Sequence, residues 1–574
     1  MYTRAPRRRS GGGARKLLLF VLLVAIAVGC WFIYMRYIPN NQIIKVDYNF
    51  SYPITVEGKV MDEGALIENE EVKLPLSVLQ KILGPDEPIR YESDTGSIIL
   101  TTLDKVLHMK TNSLTATVNQ EPYELQIAAE VKDDVVYIPI TPLEELYGLK
   151  TEYIENSGIV VLLTAGDSIQ LAEAQPDKSA AIRNEPTIRA PIVEKVATGG
   201  KIRIWGEQNG WLFVQGPQGQ AGYIAKKDAS LSSIEKVPEP AREPAFIAWK
   251  VAGSKINMIW EAVYNRNPEP SSIKPMQGVN VVSPTWFELQ DGKGTIKGKA
   301  DPAYIRWAHN QGMQVWALFS NGFEPEQTTK ALATVETRFS MIRQLLAFAE
   351  LYDLQGINID FENVKTSDKE NLVQFVREMT PLLHEEGLVV SIDVTPKSNS
   401  EMWSLFLDRA SLGRIVDYMM VMAYDEHWAS SPKAGSVASL SWTEKSLARI
   451  IEEDKVPASK LVLSMPLYTR IWTEKADADG KVKVSSKAVG MDRVKEIIAD
   501  KKLKKVFDEQ AGQNYVEYKE DGALNRIWIE DEVSIKARVE LMKKYDLGGV
   551  ASWQRAFQTE TIWKTIDDAI SKRP

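Results

Sequence analysis

An unbroken apolar run, LLLFVLLVAIAVGCWFIYM from Leu17 to Met35, opens the readable pattern of this chain, and beyond it the spacing of apolar positions changes twice. From about 52 to 165 short alternating pieces dominate: ITVEGKVM, SIILTTL, LTATVN, VVYIPI and GIVVLLT, with one helix-like stretch, LPLSVLQKILG, between them. A period of two predicts strands, and the mixture predicts a small α+β domain over 45–165. After a polar stretch near 166–180, closely spaced short strands return. Turn signals at Asn209-Gly210 and Gln218-Gly219 predict a small β-barrel over 178–232. Pro238, Pro240 and Pro244 then mark a linker over 233–244, which can continue neither a helix nor a central strand.

From 245 to 574 the rhythm becomes apolar run, helical pattern, apolar run. Eight runs stand out: 256–260, 278–287, 314–321, 356–363, 388–396, 418–427, 461–470 and 548–554. Between them lie helices such as DPAYIRWAHNQG, with Asp301 as its cap and Pro302 in its first turn, TRFSMIRQLLAFAELYDL and KENLVQFVREMTPLLHEEG. Such alternation predicts a parallel sheet, and eight strands followed by helices predict a closed (β/α)8 TIM barrel with its site where the strands end. Some 60 residues, 470–530, exceed an ordinary loop and predict a small α+β insertion containing a hairpin at Asp521-Gly522.

The N-terminal run is long enough, at about 28 Å as a helix, to cross a bilayer core. Residues 1–16 carry Arg4, Arg7, Arg8, Arg9, Arg15 and Lys16 and no acid, so the positive-inside rule predicts a cytoplasmic tail at 1–16. A transmembrane anchor at 17–37 follows, with the bulk of the chain outside. The rival is a cleaved leader, since AVGC at 27–30 has some likeness to a lipoprotein cleavage box. A net charge of −8 offers no basic face for nucleic acid. One Cys excludes a disulfide framework. Four scattered His give no spaced metal-ligand set, so no metal and no cofactor is expected.

In GINIDFEN, side chains alternate faces, so Ile357, Ile359 and Phe361 share one side while Asn358, Asp360 and Glu362 share the other. The polar row is expected inside the barrel, with Asp360 and Glu362 reaching its mouth. Neighbouring runs end in Met422, Tyr424 and Asp425, in Pro466, Tyr468 and Arg470, and in Trp553.

These residues resemble glycoside hydrolase family 18, whose fourth strand ends in D-x-x-D-x-D-x-E. Here Gln355 and Asn358 replace the first two acids, while Asp360 and Glu362 match the last two. The M-x-Y-D of strand six, the P-x-Y-x-R of strand seven and the final-strand Trp are all matched, and the wording is most like the branch of spore and cell-wall hydrolases. The resemblance implies substrate-assisted, retaining cleavage of an N-acetylated sugar polymer. Glu362 would be the acid/base, Asp360 would orient the acetamido N–H, and Tyr424 would bond the acetamido group. Trp553 would floor the sugar site, with Asn358, Met422, Asp425 and Arg470 as further substrate-side positions. Asp425 and Arg470 are equally readable as a structural pair, and Tyr468 as structural. Because Asn358 cannot share a proton as an acid would, Asp360 is expected to stay ionised to lower pH. Trp286, Trp428 and Trp472 follow strand ends and are candidates for stacking on sugar rings or for the core.

Two further resemblances complete the layout. VKLPLSVLQKILG and VVYIPITPLEELYGLK resemble the copper amine oxidase N-terminal module, with no metal implied. GW-x-x-V and G-Y-I (Gly210, Trp211, Val214; Gly222, Tyr223, Ile224) resemble a bacterial SH3 domain. The expected partner is peptidoglycan or a chitin-like glycan, with a non-catalytic glycan binder as the alternative class.

Overall fold

The computed structural model describes residues 12–84, 88–175, 180–240, 246–248 and 254–571. Arg4, Arg7, Arg8 and Arg9 of the basic tail and Pro244 of the linker lie outside the described residues. Gly12–Tyr37 is one helix, its apolar side chains exposed, and its segment Arg15–Tyr37 is long and apolar enough to cross a membrane.

The next unit is built on two strand–proline–helix–glycine pieces. Glu71–Pro75 leads into the helix Leu76–Leu83, and Val135–Pro139 into Ile140–Tyr147, a second helix beyond the one the sequence pattern suggests. Pro75 and Pro139, both extended, stop each strand at the helix entrance. Gly148 leaves the second helix at φ +62°, a conformation that suits a residue without Cβ. The two strands pair antiparallel, Ile138 opposite Leu74. A separate five-stranded meander spans Ile89–Glu92 to Glu121–Glu124.

A seven-stranded antiparallel sheet follows, from Ser168–Ala174 to Ala229–Lys236. It begins about ten residues earlier than the pattern suggests, because Ser168–Ala174 lies centrally between two other strands. Asn209 and Gly210 form the expected hairpin turn, both at positive φ. Its core is aliphatic, with Ile182, Leu212, Val214 and Ile224 among its members, and Trp211 and Tyr223 stand outside it, part-exposed.

The eight runs of the C-terminal half are eight parallel strands: β1 Ile256–Glu261, β2 Val281–Pro284, β3 Gln314–Ser320, β4 Gly356–Asp360, β5 Val389–Val394, β6 Tyr418–Met422, β7 Leu461–Pro466 and β8 Gly549–Trp553. Each pairs with the next, and β8 returns to β1, so the barrel closes. The alternation works as expected. Ile357, Ile359 and Phe361 of β4 pack into the large shell cluster beneath the helices. A separate interior cluster holds Met258, Trp260, Val281, Trp316, Leu318, Met420, Val462 and Ala551. The expected insertion is a five-stranded antiparallel sheet running from Tyr468–Ala476 to Ala523–Ile529, with the helix Met491–Asp500 on it.

The first module is fastened to the barrel's helices. Glu92 accepts from the Val335 N–H at 2.8 Å and from Arg338 at 2.7 Å, and Arg338 also forks onto Glu378 at 2.7 and 2.8 Å. Arg338 and Glu378 are fully buried. Ile99 and Val106 of the module join the shell cluster.

Candidate active site

At the C-terminal mouth of the barrel the side chains come from strands all around the barrel and from the residues just past them. Asn358 is the lowest of them, fully buried, and every valence of its amide is used. Its oxygen accepts from the Trp260 indole N–H at 2.9 Å and the Ser283 hydroxyl at 3.2 Å, and its nitrogen donates to Ser391 Oγ at 3.2 Å and Asp393 Oδ1 at 2.8 Å. An indole nitrogen can only donate, which fixes which end of the amide faces β1 and which faces β5.

Asp360 closes β4, 9% exposed, and its Oδ1 is buried with no hydrogen-bond partner. Burial pushes its carboxyl up to about 7. This corrects the expectation that Asp360 stays ionised to lower pH: Asn358 is indeed no acid, but desolvation outweighs the missing neighbour. Glu362 is half-buried two residues on. Asn321, buried just past β3, clamps its backbone from both sides, donating to the Glu362 carbonyl at 2.8 Å and accepting from its N–H at 3.1 Å. Desolvation, and then the charges of Asp360 and Asp425, hold the Glu362 carboxyl well above its usual range. Such a group holds its proton to higher pH than an ordinary glutamate and can give it to a leaving oxygen.

Tyr424 follows β6 with its hydroxyl pKa raised by burial and by Asp393, Tyr468, Glu362 and Asp360. Its ring meets Tyr468 edge-on at 6.4 Å. Tyr468 donates to Asp425 Oδ1 at 2.6 Å, and Arg470 reaches the same oxygen at 3.4 Å. The three side chains of the strand-six and strand-seven motifs thus form one hydrogen-bonded group. Met422 is buried at the end of β6. Trp553, at the end of β8, sets its ring edge-on at 6.0 Å to Trp260, the indole that holds Asn358.

Of the three other tryptophans, Trp286 and Trp472 are fully buried, their indole N–H groups on Asn267 Oδ1 and the Gly435 carbonyl, so neither is open to stack on a ligand. A position after a strand end does not say which way the ring turns. Trp428 alone of the three is exposed. Buried contributors outside the motifs include Asn321 and Asp393, with Trp260, Ser283 and Ser391 around Asn358. The signal for Asp393 was available: on β5 the alternation that faces Ser391 inward faces Asp393 inward too.

Residues 262–557, just over half of the chain, match the model of the glycosyl hydrolases family 18, and the chain belongs to that family; it is a glycosidase. Residues 55–162 match the copper amine oxidase N-terminal domain. An uncharacterized glycosylase of Bacillus subtilis, YvbX, is 26% identical over 302 residues, covering 50% of this chain and 84% of that protein. The cortical fragment-lytic enzyme of the same species is 27% identical over 240 residues, covering 41% of this chain and 54% of that one, so only about half of that relative's length is matched. The chitinase from Chromobacterium violaceum shares the barrel fold at a TM-score of 0.50 and 21% identity, over 56% of this chain and 100% of that one.

Proposed function

We propose that this glycosidase is a membrane-anchored extracellular enzyme that cleaves β-1,4 linkages in an N-acetylglucosamine-containing glycan, peptidoglycan before chitin, by a substrate-assisted retaining mechanism. The observation that carries the reading is the pair Asp360 and Glu362, two acids without a cation partner among the described residues, one buried and one half-buried, at the mouth of a closed barrel. Glu362 protonates the leaving oxygen. The substrate's acetamido oxygen attacks the sugar carbon, Asp360 accepts from the acetamido N–H and balances the positive ring that forms, and the Tyr424 hydroxyl holds the acetamido oxygen in line. Trp553 is the apolar floor. Asp425, Arg470 and Met422 line the sugar site, Asp425 being kept in place by Tyr468 and Arg470. Asn358 supports Asp360 from below.

Peptidoglycan is favoured by the likeness to a cortical fragment-lytic enzyme and by the layout of the chain. The apolar helix Gly12–Tyr37 serves as the anchor, and the sheet from 168 to 236, with its SH3-like GW-x-x-V and G-Y-I marks, as a wall-glycan module. The test is incubation of the full chain with purified peptidoglycan and, separately, with chitin oligomers, followed by identification of the new reducing ends. Peptidoglycan fragments ending in N-acetylglucosamine support the reading. Cleavage of chitin oligomers alone transfers the enzyme to chitin, and binding without any cleavage leaves a glycan-binding protein.

A further inference from the structure

The parallel register between β4 and β5 matches Asn358 with Ser391 and Ile359 with Ile392. Continued by one residue, it sets Asp360 level with Asp393 on the neighbouring strand, both facing inward, with about 4.8 Å between the two backbones. Asp393 is 3% exposed, and its Oδ1 is already engaged by the Asn358 amide. Asp360 has an oxygen buried with nothing to meet it. Two carboxyls side by side in a dry barrel cannot both ionise cheaply, and a proton held between them satisfies both.

We infer that Asp393 is a positioning residue of this active site: as a neutral acid on β5 it donates its O–H to the carboxylate of Asp360, so that the two share one proton and Asp360 is held charged and aimed at the substrate. The inference rests on the role proposed above for Asp360. The proton moves only between two carboxyl oxygens, so no further reactant is involved. Asn358 fits this role, since its amide hydrogen occupies the other oxygen of Asp393 and leaves the protonated one free to turn toward β4. The side chain at 358 is then not a lost acid. The second carboxyl of the site stands one strand further on.

The charged groups around Asp393 favour its neutral form. Those acting on it from β4 and beyond are Asp360 and Glu362, and Tyr424 couples to it from past β6. Burial first, and then the charges of Asp360 and Glu362, raise its carboxyl well above the ordinary range, against the lowering effect of the Asn358 hydrogen bond. Among the described residues, cations near this rim are engaged elsewhere: Lys397, on the same segment, with Asp454 at 2.7 Å and Glu453 at 2.9 Å, Arg409 with the Thr395 carbonyl at 2.7 Å, Arg470 with Asp425, and Arg555 with Glu261.

The test compares the full-length protein with its Asp393→Asn and Asp393→Ala variants and the double variant Asn358→Asp/Asp393→Asn. Two readouts are used: infrared titration of the protonated carboxyl band, which needs no substrate, and the pH profile of kcat/KM on the glycan the unmodified protein cleaves. Asp393→Ala should move both the Asp360 titration and the acidic limb up by roughly one pH unit and lower kcat about 10- to 100-fold. Asp393→Asn, which keeps a donor, should recover most of that loss, and the double variant should return a two-step carboxyl titration. Unaltered titration midpoints in folded Asn and Ala variants overturn the inference. Should the Ala variant fail to fold, the Asn variant decides by whether the two-step carboxyl titration becomes a single step. If no glycan is cleaved, the proposed function fails while the infrared result still judges the shared proton.

Discussion

Two sets of buried carboxyls, one where the first module meets the barrel's helices and one at the barrel mouth, stand in opposite settings. On the helical shell, Glu92 and Glu378 converge on Arg338, and although burial pushes the guanidinium down, the two acids hold it above its ordinary value. At the mouth, Asp360, Glu362 and Asp393 form no ion pair with a cation among the described residues, the charge of Asp425 adds to that of Asp360 on Glu362, and all three are driven toward the protonated form. Burial is similar in kind, and what differs is the presence of a cation. With one, an acid becomes a fastening. Without one, its carboxyl is raised and becomes available for proton transfer.

The comparison breaks most visibly if charge is removed at the unpaired end. Glu362→Gln should cost 10²- to 10⁴-fold in kcat, the usual range for losing a proton donor, with thermal unfolding unchanged. Retained turnover by a folded variant would remove the residue from the mechanism. At the paired end the effect falls on stability instead. Arg338→Ala leaves the buried Glu378 without its ion-pair partner and Glu92 with Arg90 alone, and should cost about 3–5 kcal/mol in denaturant unfolding. The position of the pH–rate limbs should not move. A smaller effect sharpens the contrast. Asp360 is raised in the folded state to about 7, so its contribution to stability is full below the ordinary aspartate range and is lost as pH rises through 7. Unfolding free energy should therefore decline across that window by at most about 1.4 kcal/mol per pH unit for this group, and Asp360→Asn should flatten the decline.

Much of this was legible from the chain. The eight strands announce themselves because each is a short apolar run between helical periods, and the inward facing of Asn358, Asp360 and Glu362 follows from alternation alone. The capped start of the helix Pro302–Asn310, with Asp301 accepting from Ala303 at 2.8 Å, was equally readable. What escaped depended on neighbours distant in sequence. Ser168–Ala174 lies in a polar stretch and becomes a strand only because strands on both sides pair with it. Trp286 and Trp472 follow strand ends as a sugar-stacking ring would, and only packing turns them inward. Asp393 belongs to no motif, and its weight comes from standing beside β4.

The amide at 358 has one more consequence. With a tryptophan that can only give on one side, the group is unable to rotate end over end, so polarity across the middle of the barrel has a permanent direction, from the first strand toward the fifth. Replacing Trp260 by a residue without a donor would leave that orientation to Ser283 and Asp393, and a change some distance below the sugar would then be felt at the acids above it.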